Sequence, residues 1–176
     1  MHACKTSPFW LSNIQLRPAI REDLHSLEWN GDLIQFRRLF QQIYHNACQG
    51  KAMMWVVDLL GNGVIGQLFV QLESDKVEVT YGKHHAYIYG FRIKPDYQRY
   101  GVGSRLLDTV EMDLMEKGFY WINLNVSKQN QNAHRFYEHH GFIVIGEELG
   151  RWSYIDHLGF QREVCEPAWR MQKYIE

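Results

Sequence analysis

Along most of this chain the apolar positions alternate with polar ones, shift to a helical period, then alternate again, and the shifts mark its elements. Ile14-Gln15-Leu16-Arg17 alternates as a first strand and stops at Pro18, which has no N–H to give a sheet. Glu22 and Asp23 open a short helix to about Trp29, and Asn30-Gly31 breaks it. Leu33, Phe36, Leu39, Phe40 and Ile43 recur at helical spacing, which predicts a second helix over 33–48 ended by Gly50. Residues 52–60 and 64–73 read as strands around Gly61-Asn62-Gly63, a strong hairpin signal, and 74–84 as a connection. The strand over 86–93 carries Tyr87, Tyr89 and Phe91 on one face. Over 102–117 the period is helical again, with Leu106, Leu107, Val110 and Leu114 on one side. Asp108, Glu111, Asp113 and Glu116 then face mostly water, and Gly118 follows as the terminating glycine. A strand over 119–126, a helix over 132–140 closed by Gly141, and strands over 142–145 and 168–174 complete the pattern. No repeat or low-complexity linker divides it. The expectation is one α/β domain over 1–176 on a single mixed sheet, with 1–11 a loosely specified leader.

Composition narrows the classes. The formal net charge of −1 offers no overall basic field for nucleic acid or an anionic membrane. Cys4, Cys48 and Cys165 lack paired spacing, which argues against a zinc site or disulfide framework and suits free thiols in a reducing compartment. No run approaches a membrane span and the N-terminus has no apolar signal core, so a soluble, cytoplasmic protein is expected. Aromatic residues make up 14% of the chain, enough that some are expected to line a cleft while most fill the core.

The candidate chemistry begins after Ile93. Lys-Pro-Asp-Tyr-Gln-Arg-Tyr-Gly-Val-Gly-Ser (94–104) joins a strand to a helix through a Gln-x-x-Gly-x-Gly loop. Unpaired N–H groups converge where a glycine loop feeds a helix N-terminus, and the helix dipole adds partial positive charge there. A pyrophosphate suits such a cradle, formed by the backbone of Gln98, Arg99, Tyr100, Gly101, Val102, Gly103 and Ser104. Two nucleotide loops compete and fail. A Walker loop needs Gly-Lys-Ser or Gly-Lys-Thr where Gly103-Ser104-Arg105 stands, and a dinucleotide fingerprint needs an acid on the next strand, where 119–126 has none. The second block, Ser-Lys-Gln-Asn-Gln-Asn-Ala-His-Arg-Phe-Tyr-Glu-His-His-Gly-Phe, follows at 127–142.

Together the two blocks resemble the GNAT superfamily of N-acetyltransferases, through Pro95, Tyr97, Gln98, Gly101, Gly103, Asn130, Ala133, Tyr137, Glu138, Gly141 and Phe142. The specific match covers about a third of the chain. The resemblance implies a mostly antiparallel, twisted sheet of about six to seven strands flanked by helices, with acetyl-CoA in a splay between two central strands. It implies that backbone groups of Phe91, Arg92 and Ile93 meet the pantetheine arm and thioester, that Asn130 contacts that arm, and that Ala133 lies beside it. It places the Tyr137 hydroxyl near the sulfur, where a phenol of pKa ~10 can protonate a leaving thiolate. Asn132 is then the helix N-cap, and Glu138 faces solvent. Arg99 and Arg105 flank the loop within reach of phosphates, with surface solvation as the alternative.

The general base stays open. Many relatives place a glutamate where this chain has Tyr87, and a neutral phenol is a poor base. Glu73, Glu78, His84 and His85 are the nearest titratable residues in sequence, and a water chain to bulk solvent is an equal alternative. His139 and His140 point apart on a helix, so no metal is expected. The implied activity is acetyl transfer from acetyl-CoA to a primary amine, of a small molecule or a protein, by direct attack in a ternary complex. The alternative is an acyl-CoA binding or sensing module of the same fold. By resemblance the early helices wall the acceptor cleft, and relatives often form homodimers. Trp152, Tyr154, Asp156 and His157, with 163–167, form a tail expected to close that cleft.

Overall fold

The computed structural model describes residues 8–72 and 84–176. Glu73, Glu78, Cys4 and nearly all of the expected connection over 74–84 lie outside the described residues. Seven strands form one sheet: β1 (Ile14–Pro18), β2 (Ala52–Leu59), β3 (Gly63–Gln71), β4 (His85–Ile93), β5 (Trp121–Ser127), β9 (Ala168–Tyr174) and β6 (Ile143–Glu148), in that spatial order. Every neighbouring pair is antiparallel except β4 and β5, which run parallel. A separate hairpin, β7 (Arg151–Ile155) and β8 (Gln161–Cys165), stands off the sheet. This is the mixed, mostly antiparallel sheet that was expected.

Helices cover both faces. On one, Phe40 and Ile43 of α2 (Arg37–Cys48) pack with Met54, Val56 and Phe69, next to the short α1 (Asp23–Ser26). On the other, Leu106, Leu107, Val110 and Leu114 of α3 (Val102–Glu116) pack with Leu68, Ile88 and Leu124, and α4 (Gln131–His139) adds Tyr137 to that core. The early helices are shorter than the sequence implies. α1 ends at Ser26 because Trp29 and Asn30 take left-handed backbone (φ 49° and 59°), and the stretch over 34–36 is 3-10 before α2 begins. In the leader, the 3-10 turn Phe9–Asn13 docks Trp10 edge-on against Tyr97 and Tyr100, with ring centroids 5.1 and 5.2 Å away.

Two expectations need correction, and one element is new. Glu111 does not face water: it is buried and bonded through both oxygens to Lys173 Nζ at 2.8 and 2.7 Å. Burial pushes its carboxyl above the ordinary range, partly offset by Lys173. The stretch 151–165 is a hairpin, closed by Asp156, whose carboxylate accepts from the Leu158 and Phe160 N–H groups and from Arg162 Nε. The second correction concerns β4. Its register on β3 passes from Phe69↔Tyr89 to Gln67↔Arg92, so Gly90 and Phe91 together oppose Leu68. This bulge, with Gly90 at φ 60°, inserts one residue and reverses the alternation. Tyr89 packs on Phe69 on the α2 side, whereas Phe91 meets Phe136 on the α3 side. The three aromatics do not share a face.

Candidate active site

Beyond the bulge, β4 and β5 part. They pair only at His85↔Trp121, Ala86↔Ile122 and Tyr87↔Asn123, while β5 stays paired with β9 along its whole length. Residues 88–93 thus present an open edge. Which peptide groups face the gap follows from alternation. Lys94 N–H donates to Ile65 O, so that pair is hydrogen-bonded, Gly66↔Ile93 is not, and Gln67↔Arg92 is again. Phe91 and Ile93 therefore turn their peptide groups toward the gap, and Arg92 turns its own toward β3. This takes the Arg92 backbone out of the trio expected to be open. The Ile93 carbonyl accepts from Gln98 Nε2 at 2.7 Å, which leaves its N–H for a partner and anchors the following loop.

That loop is shaped by two left-handed residues, Arg99 (φ 65°) and Gly101 (φ 79°), before α3 starts at Val102. A strained Arg99 followed by a glycine that meets no steric neighbour makes a concave run of N–H groups. No side chain caps α3, and Arg105 N–H is the group that reaches Gly101 O. The N–H groups of Val102, Gly103 and Ser104 are left without an intrahelical acceptor, as at any helix start. A Cβ at Gly103 would sit in ordinary contact, 3.6–3.7 Å from Phe91 and Phe136, which border the gap. Arg99 and Arg105 are exposed beside this end.

α4 carries the remaining expected residues. Asn130, not Asn132, is its N-cap: Asn130 Oδ1 accepts from Ala133 N–H at 3.1 Å. The chain enters the helix one residue earlier than its hydrophobic pattern indicates. Asn130 also lines an open groove of about 630 Å³ with Ser127, Gln129, Cys165 and Glu166, into which its Nδ2 remains able to donate. Asn130→Ala therefore costs about 1 kcal/mol of unfolding free energy and Asn132→Ala less than about 0.5, as read by urea denaturation. Ala133 packs at the edge of the core beside Phe136.

Tyr137 is buried among Phe91, Phe136 and Phe142, with ring centroids 6.3, 5.4 and 5.3 Å away. Burial drives its phenol well above the ordinary range, and the neighbouring Tyr87 pushes the same way. Tyr87 is the last β4 residue paired with β5, so it stands at the fork where the gap opens. One contact was not legible in the sequence. His140 Nδ1 meets Phe136 O at 2.7 Å and Nε2 meets Ser104 Oγ at 3.0 Å. A carbonyl only accepts, so Nδ1 holds the proton and, in the neutral ring, Ser104 donates to Nε2. His140 ties the helix bearing Tyr137 to the first turn of α3. Among the described residues no group of His, Cys, Asp or Glu is arranged to hold a metal ion, and no helix is long and apolar enough to cross a membrane.

Of the candidate bases, His84 Nδ1 meets Gly118 O, away from the gap. Burial, with His84 beside it, lowers the His85 pKa, which favours the neutral ring, yet its Nδ1 lone pair already accepts from Asn123 Nδ2 at 3.2 Å. Neither presents a free lone pair to the fork.

Comparison with known proteins gives a consistent picture. The sequence profile of the acetyltransferase (GNAT) family matches residues 19–142. A mycothiol acetyltransferase of Propionibacterium freudenreichii is 32% identical over 75 residues, which is 43% of this chain and 24% of that protein, so the match spans about a quarter of the relative. The fold is similar to Ard1 from Thermoplasma volcanium (TM-score 0.71, 18% identity, 93% of this chain and 99% of that one). It is similar to spermidine N-acetyltransferase from Vibrio cholerae in complex with CoA and spermine (0.66, 19%, 93% and 96%). The ribosomal-protein-S18-alanine N-acetyltransferase from Escherichia coli also aligns (0.64, 18%, 93% and 94%).

Proposed function

The chain belongs to the acetyltransferase (GNAT) family, and from that premise we propose that it moves acetyl from acetyl-CoA to a primary amine by direct attack in a ternary complex. The observation that carries the reading is the parting of β4 from β5 above Tyr87, with Tyr137 buried beside the opening and an uncapped helix N-terminus at its end. The residues present fit the cosubstrate. Val102, Gly103 and Ser104 N–H groups would take the phosphates, the Ile93 and Phe91 peptide groups the pantetheine arm and thioester oxygen, and Asn130 Nδ2 the arm's amides. When bound, acetyl-CoA supplies an activated acyl group.

This chain's residues then do two things. They hold the carbonyl carbon against an incoming neutral amine, so that proximity supplies much of the acceleration. They also deliver a proton: as the amine nitrogen bonds the acetyl carbon and the C–S bond breaks, the proton on Tyr137 Oη goes to the departing sulfur. The proton shed by the new amide nitrogen leaves to solvent, which also reprotonates Tyr137. The related proteins named for spermidine and for the alanine of ribosomal protein S18 both act on amines, which supports an amine acceptor.

The test is CoA release from acetyl-CoA by purified protein against amino acids, peptides, polyamines and aminoglycosides. Release that depends on one amine class establishes the reaction. Tight acetyl-CoA binding with release from none favours the sensing module, to which the phenol at position 87 points. Gly103→Leu should weaken acetyl-CoA binding by about tenfold or more while the fold persists, because its side chain enters the gap past Phe91 and Phe136. Unchanged affinity by calorimetry would put the cradle elsewhere.

A further inference from the structure

The two sheet faces divide the labour. The phosphate loop, α3 and Tyr137 lie on one face, which leaves the other to receive an acceptor; there α1 and α2 pack on the sheet, and Phe36 meets both Arg92 of β4 and the β7–β8 hairpin. On that face β4 presents two cations, Arg92 and Lys94, at alternate positions. The Arg92 guanidinium carbon lies 5.3 Å from the Phe36 ring centroid, and Lys94 Nζ lies 6.0 Å from that of Trp29. Phe36 itself packs against the hairpin aromatics Trp152 and Tyr154, at 6.2 and 4.9 Å. Neither cation forms an ion pair among the described residues. The acid acting on Arg92 is the exposed Glu166, which lines the neighbouring groove. Burial lowers the Arg92 pKa, the mark of a guanidinium held partly out of water without a bonded counter-charge.

A second observation points the same way. Gln67 is the cross-strand partner of Arg92, so the two side chains rise from the same face of the sheet. Gln67 is fully buried, and both its amide oxygen and nitrogen lack hydrogen-bond partners among the described residues. Trp29 Nε1 and His157 Nδ1 are also buried and unpartnered among the described residues, and Trp29 stands in left-handed backbone, which a bulky residue adopts only when its surroundings force it. Unpaired buried polar groups are rare, and Gln67 rising beside a cation that has no ion pair among the described residues marks a place built for a polar guest. A cationic wall of this kind repels polyamines and attracts anions.

We propose that the acceptor is a primary amine that also carries a carboxylate, which Arg92 receives on the rim between Phe36 and the β7–β8 hairpin. The inference rests on acetyl transfer for the meaning of "acceptor", but the wall it describes is read by binding alone. Free amino acids and acidic peptides share the chemistry, so both serve as probes. Tryptophan fluorescence follows binding, with and without CoA, of free L-amino acids against their α-amides, of a short peptide with glutamate or glutamine second, and of spermidine. The carboxylate form of at least one pair should bind about tenfold or more tighter than its amide. That preference should fall to within about twofold in Arg92→Met, which keeps the packing on Phe36, and survive in part in Arg92→Lys. The pair that shows it tells free amino acid from peptide. Equal affinity for acid and amide, tighter binding of spermidine, an undiminished preference in Arg92→Met, or binding of none of the probes overturns the proposal. Arg92-dependent binding without CoA release would instead overturn the acetyl-transfer reading and leave the anion wall standing.

Discussion

Replacing Tyr137 with phenylalanine lowers the rate of CoA release by about 10²–10³-fold while acetyl-CoA affinity stays within about twofold. The substitution removes one oxygen and keeps the ring that fills the space among Phe91, Phe136 and Phe142, so the core and the strand gap persist. Stability should hold or rise, because a buried hydroxyl is costly to desolvate. What disappears is the proton for the departing sulfur. The direction of the phenol's pKa sharpens the test. Burial and Tyr87 raise it, so the acid form is complete at neutral pH and persists beyond pH ~10, the ordinary phenol value. The wild-type rate should therefore climb with pH as the acceptor amine loses its proton, with no falling limb from Tyr137 below that point. The ratio of wild type to variant should be the same at neutral and mildly alkaline pH. An unchanged rate in the variant removes Tyr137 as the acid; a ratio that shrinks as pH rises through neutrality removes the pKa argument.

Much of this fold was legible because its signals are local. Leu106, Leu107, Val110 and Leu114 announce α3, Gly118 and Gly141 end their helices at φ 83° and 85°, and Gly61-Asn62-Gly63 closes the β2–β3 hairpin as expected. The errors share a different cause: a partner distant in sequence or a choice the backbone makes among equals. Asn130 and Asn132 are both good caps, and the entry angle of the chain after β5 decides between them. Glu111 reads as a solvated helix position because its partner, Lys173, sits 62 residues away. Within β7, Trp152 and Tyr154 alternate as a strand would, but the turn to β8 depends on Asp156 gathering two N–H groups and Arg162.

The candidate site divides in the same way. The loop and Tyr137 stand in contiguous motifs, whereas the Arg92 side chain acquires meaning only beside Gln67 and Phe36, 25 and 56 positions away (92 − 67 and 92 − 36). His140 likewise looks like half of a histidine pair until Ser104, 36 residues before it, closes the contact. The parting of β4 from β5 was expected from resemblance, but its physical origin was not visible, since 85–93 alternates without an obvious break. The one local sign was an isolated glycine inside a strand, and that glycine leads to the strongest structural prediction.

Gly90→Ala should destabilise the protein by about 2–4 kcal/mol, and the reason is double. Gly90 stands at φ 60°, where an L side chain is strained, and an added Cβ would lie 2.5 Å from Phe69 Cδ2 and 2.8 Å from Cε2. The Phe69 ring cannot yield: it is 2% exposed and wedged between Phe40 and Tyr89, both with centroids 5.8 Å away. The chain has one escape, which is to flatten the bulge. Flattening restores simple alternation, swings Phe91 and Ile93 off the α3 face and turns their peptide groups away from the gap. Either response reaches the site. Thermal unfolding should fall by about 10 °C, and acetyl-CoA should bind more weakly than the loss of fold accounts for. Gly146→Ala is the matched control, because a Cβ there meets nothing within 4 Å and its backbone needs no positive φ, so stability should stay within about 0.5 kcal/mol. If Gly90→Ala keeps both its melting temperature and its cosubstrate affinity, the bulge is not what opens the sheet, and the gap must be held apart by α3 and α4 alone.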